Sequence, residues 1–67
     1  MVANNGVFSL VREHEDGVDI VGFKANGIEV SVSFYNGCDL VWERTFGRET
    51  ARQAWRNFRA QGFERGT

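Results

Sequence analysis

Apolar and polar residues alternate in short runs over the first two thirds of the chain and fall at helical spacing over the last third. Val7 to Arg12 is short, β-branched and aromatic, which predicts a first strand. Glu13-His14-Glu15-Asp16-Gly17 is a polar break ending in glycine and reads as a turn. Val18 to Lys24 predicts a second strand, followed by Asn26-Gly27, a strong hairpin signal because both residues tolerate positive φ. The third strand is the clearest. Ile28, Val30, Val32 and Phe34 alternate with Glu29, Ser31, Ser33 and Tyr35, giving one apolar and one polar face. Asn36-Gly37 marks a second hairpin, and Cys38 to Thr45 a fourth strand with Leu40 and Trp42 on one face.

The register follows from keeping apolar residues together, since a slip of one residue turns every side chain to the other face. A three-residue turn, Tyr35-Asn36-Gly37 with Gly37 left-handed, pairs Phe34 with Cys38, Val32 with Leu40 and Val30 with Trp42. A strict two-residue turn at Asn36-Gly37 would instead set Leu40 and Trp42 against Ser33 and Ser31, so the longer turn is the expectation. On the second strand, Val18 and Ile20 compete with Val21 and Phe23 for the core face, and the pattern leaves that choice open.

In the last third, Ala51, Ala54, Trp55 and Phe58 form a stripe at i, i+3, i+4 and i+7. Gly47 can serve as N-cap, with Phe46 stapled onto Ala51, and Glu49 suits the first turn of the helix dipole. Gly62 fits a left-handed C-terminal position, which would fold Phe63 back on Phe58. The helix therefore runs from about Arg48 to Gln61. The elements imply an α+β fold, a four-stranded antiparallel meander with one C-terminal helix across one face (ββββα). Trp55 and Phe58 are expected on Ile28, Val30, Val32, Leu40 and Trp42. Residues 1–5 read as a flexible tail and 6–67 as one domain.

Composition narrows the options. Sixty-seven residues give one small domain with little core. Cys38 and His14 are each the single residue of their kind, so neither an internal disulfide nor a Cys/His zinc site can be built in one chain, and no cofactor is implied. The opening Met-Val-Ala-Asn-Asn-Gly lacks a basic segment and an apolar run, and no stretch is long enough to span a membrane. With a lone Cys, this reads as a cytoplasmic chain without membrane partners. The face away from the helix, with Val7, Val11, Val41 and one second-strand apolar pair, is too apolar for a monomer, so a homo-oligomer is expected.

Charge is segregated. Residues 1–43 hold seven acids against Arg12 and Lys24, whereas 44–67 hold six arginines, no lysine and two acids. Arg48, Arg52, Arg56 and Arg59 span an arc of roughly 80° beside the apolar stripe, at about 100° per residue. Their planar guanidiniums suit bidentate contact with carboxylate or phosphate. The favoured reading is a partner-binding surface for an acidic protein. Nucleic-acid binding or transcription modulation is the alternative, opposed by the slightly acidic total. A solvated helix face is the plainest account of such a stripe. Glu13, Glu15, Asp16 and Asp19 resemble a solvated turn more than a calcium loop, for they lack its ligand spacing. His14 and Cys38 lie in separate hairpins with nothing to orient them as base and nucleophile, so no catalytic residue is assigned and an enzyme is not expected.

Overall fold

The computed structural model describes residues 7–66, so the expected tail at residues 1–5 lies outside the described residues. Four long strands follow in chain order: β1 (Val7–His14), β2 (Gly17–Asn26), β3 (Glu29–Asn36) and β4 (Asp39–Gly47). The helix α1 (Arg48–Ala60) and a two-residue strand, β5 (Glu64–Arg65), complete the fold. All pairings are antiparallel in the order β4-β3-β2-β1-β5, with α1 on one face. The α+β meander read from the pattern is the fold observed, with the short β5 added to it.

The open question on β2 is resolved by its pairing. Leu10 pairs with Val21, and Val21 with Phe34, so Val21 and Phe23 enter the core while Val18 and Ile20 turn outward. Leu10, Val21 and Val32 are fully buried, with Phe23, Val30, Ala51 and Phe63 completing the core. Each of the Leu, Val and Phe side chains taken from water contributes about 1.5–3 kcal/mol.

Two expectations are corrected on the later strands. The β2–β3 turn is Gly27-Ile28, closed by the pair Asn26 and Glu29, so Ile28 sits at a hairpin tip, 82% exposed, and not on the core face. The β3–β4 turn is Gly37-Cys38, closed by Asn36 and Asp39, not the three-residue turn. Gly37 is indeed left-handed, at φ +63°. Tyr35 then pairs with Leu40 on the outer face, Val41 is left over as a bulge, and Phe34 pairs with Trp42. The bulge adds one residue to β4 and so resets its parity. That is how Trp42 reaches the core side while Leu40, two residues earlier, does not.

The helix begins as the sequence implies, with Gly47 as N-cap and Glu49 in the first turn. Its end is a complete Schellman motif. Gly62, at φ +99°, donates its N–H to the Arg59 carbonyl, and Phe63 donates to the Phe58 carbonyl. The Phe58 and Phe63 rings meet edge to face, 5.1 Å apart. The chain then turns along β1, where Leu10 pairs with Arg65 and the Gly66 N–H donates to the Ser9 carbonyl. A Cβ at 66 would lie 2.6 Å from Val11 Cγ2, so any larger residue there would displace the Val11 side chain. The helix thus leaves from the β4 edge and returns the chain to the β1 edge, crossing the sheet obliquely.

Candidate binding surface on the arginine-bearing helix

The oblique crossing covers the sheet unevenly. At its C-terminal end α1 is fastened by Phe63 and by Arg12, whose guanidinium donates to the Gln61 carbonyl at 3.2 Å and lies 4.7 Å from the Phe63 ring centre. Arg12 also pairs with Asp19 at 3.3 Å. Asp19 accepts a 2.9 Å hydrogen bond from Asn36 and sits 3.4 Å from His14 Nε2. Burial pushes the Asp19 carboxyl up, but the hydrogen bonds from Asn36, His14 and Arg12, with the charge of His14, outweigh it and hold it below the ordinary carboxylate range.

At its N-terminal end the helix lies toward β3 and β4, and the corner of the sheet formed by β1 and β2 stays open. A groove of about 190 Å³ results. Its floor is Phe8, Phe23, Ala25 and Val30 from the sheet. Ala51 and Trp55 form the helix wall, and Arg48 and Arg52 stand on the rim. Trp55 is half-buried and not central to the core, edge to face with Phe23 at 5.2 Å and with Phe8 at 6.5 Å. Arg65 stacks over Phe8 at 5.4 Å and borders the same corner.

The four sequence-assigned arginines have different surroundings. Arg48 donates to the Gly27 carbonyl, which pins it against the β2–β3 turn. Arg52 is shared between the groove rim and a shallow polar hollow with Arg56, Glu49 and Gln53. Arg59 lies in the last turn, where a cation suits the helix dipole. Arg52, Arg56 and Arg59 are exposed and make no ion pair or hydrogen bond among the described residues. Alternation along β1 could have placed Phe8 beside Leu10 on the helix-facing side. The roles of Ala25 and Arg65 depend on the helix crossing and on β5, which carry no sequence signal.

The remaining candidates form no common metal site among the described residues. Asp19 is committed on the helix-facing side, while Glu13, Glu15 and Asp16 are exposed, and among the described residues no three His, Cys, Asp or Glu side chains are placed to share a metal. Cys38 is exposed at its turn, where the usual burial of free Cys would have placed it inside. Among the described residues no helix is long and apolar enough to cross a membrane.

The outer sheet face holds a second feature. Val11, Ile20, Tyr35 and Leu40 pair in succession across four strands, a continuous apolar row. Leu40 is 52% and the neighbouring Val41 56% exposed. The next rows are small and polar, with Gly22 between Ser9 and Ser33, and Ser33 donating to Glu43 at 3.1 Å.

Compared with family models, curated proteins and solved structures, the chain matches none.

Proposed function

We propose that this chain is a small, non-enzymatic interaction module of the cytoplasm that pairs with a second copy of itself and presents the arginine-bearing face of α1 to an acidic protein partner. The observation that carries the reading is that Arg52, Arg56 and Arg59 make no ion pair or hydrogen bond among the described residues, in a chain with nine acids. A face built for solubility alone mixes both signs of charge evenly, whereas here four arginines, Arg48, Arg52, Arg56 and Arg59, share one arc with a single acid, Glu49, at its border. Guanidiniums left free of internal partners are available for charge-assisted contacts with carboxylates. Self-association is supported by the apolar row on the outer face, which two copies would cover by packing sheet on sheet, about 10 Å apart. The non-enzymatic reading is supported by the engagement of His14 with Asp19 and by the lack of a hydrogen bond between His14 and the exposed Cys38 among the described residues.

Two measurements test this. Light scattering at micromolar concentration is expected to give at least twice the 7.6 kDa chain mass, and Ile20→Lys, on the outer face, is expected to return the single-chain mass without unfolding. A salt titration against polyglutamate, random duplex DNA and single-stranded DNA tests the arginine face. Preferential, salt-sensitive binding to polyglutamate supports the proposal. Tighter binding to either DNA, falling steeply with salt, replaces it with the nucleic-acid reading.

A further inference from the structure

We infer that the groove at the N-terminal end of α1 is the anchoring pocket of this surface: it takes one aromatic side chain from an acidic peptide segment, whose flanking carboxylates pair with Arg48 and Arg52. The inference rests on the acidic-partner reading of the helix and adds what that partner must carry. Three observations lead to it. The cavity, at about 190 Å³, is smaller than the roughly 300–1,000 Å³ of cofactor and small-molecule sites; a single side chain is the occupant of matching scale. Its interior is apolar and aromatic, with Phe8 and Trp55 at 84° to each other. A guest ring therefore finds both a ring face and a ring edge, the arrangements aromatic pairs favour.

The rim supplies the third observation. Both of its charges are positive, and among the described residues no carboxylate lines the groove. Arg48 is held by the Gly27 carbonyl and so is pre-oriented, while Arg52 has no partner among the described residues. Arg65, stacked on Phe8, adds a third guanidinium at the same corner. Aromatic residues and arginine are the side chains most enriched in binding hot spots, which sit in well-packed pockets, and here both border one groove. A purely acidic chain would leave the apolar floor wet, and a purely apolar one would leave Arg52 without a partner among the described residues.

The test uses the full chain with Trp42→Phe, which leaves Trp55 as the one indole; Trp42 stacks on Phe34 and does not line the groove. Two probes are titrated while Trp55 fluorescence is followed: the blocked peptide Glu-Asp-Phe-Asp-Glu and its counterpart with alanine in the middle. The expected result is a change in Trp55 emission with the phenylalanine peptide, and affinity at least about tenfold weaker for the alanine peptide, as for loss of a buried anchor. Ala25→Leu, which enlarges a side chain of the groove floor and leaves every arginine in the sequence, is expected to erase the difference between the two peptides and leave the weaker, charge-driven binding in place. Circular dichroism checks that this variant folds, and the comparison of the two peptides stands without it. Equal affinity for both peptides overturns the pocket and leaves the arginine surface standing. Binding of neither peptide overturns both. An oligothymidylate that binds more tightly than the phenylalanine peptide and quenches Trp55 also overturns the inference, since the groove would then be a base-stacking platform.

Discussion

At its C-terminal end α1 is closed down onto the sheet by Phe63, Gly62 and the Arg12 bridge to Gln61, with Asp19 beneath them. At its N-terminal end the same helix carries no side-chain cap and stands beside an open groove, with arginines where the other end has a buried ring. The comparison teaches how a domain this small divides its labour. Stability needs one end where apolar contact and every polar group are satisfied together. That end fixes the helix direction, so the opposite corner can stay uncovered without loosening the fold. What is left exposed there is available for recognition.

The largest expected effect breaks the closed end. Phe63→Ala removes a ring that is 2% exposed and is expected to cost about 3–5 kcal/mol in a urea melt, enough to approach the total stability of a small domain. Trp55→Ala, at the half-covered end, is expected to cost less, about 2 kcal/mol, because only part of its surface leaves water on folding. If the two variants exchange rank, the division between a closed and an open end is wrong. Gly62→Ala comes next. A Cβ there meets nothing closer than 3.9 Å, so the penalty is that of the φ of +99° alone, about 1–2 kcal/mol in a thermal melt.

Asp19 gives the closed end a pH signature. Its carboxyl is held below the ordinary range in the folded chain. Its contribution is therefore complete above the unfolded value of about 4 and is lost as pH falls through the lowered folded value. Stability measured from pH 7 downward should fall over that acid window, and Asp19→Asn should flatten the fall. An unchanged acid limb would show that the network does not hold the helix end. The smallest effect on folding belongs to the open end. Arg52→Gln with Arg56→Gln is expected to stay within about 0.5 kcal/mol per site, because Gln is also a good helix former. Binding to polyglutamate should weaken in the same variant, and its salt dependence should flatten. Wild-type binding by this variant would reduce the arginine arc to a solvated face.

Much of this was legible in the sequence because it is local. Alternation fixed the core face of Val30, Val32 and Phe34 on β3, the spacing of Ala51, Ala54, Trp55 and Phe58 fixed the helix face, and Gly62 before Phe63 fixed how the helix ends. The arginine arc follows from helical geometry alone, so its four members were nameable before any contact was known.

Tertiary structure decided whatever depended on parity and direction. Whether Leu40 or Trp42 faces the helix turns on one bulged residue, Val41, and a period-two pattern carries no mark for a residue that drops out of the count. Ile28 reads as core by alternation and lies at a hairpin tip because the turn took it. The groove, and with it the roles of Phe8, Ala25 and Arg65, comes from the oblique path of α1 from one sheet edge to the other and from the return of the chain along β1. Packing of one finished face on another sets that path, and no short window of sequence contains both faces.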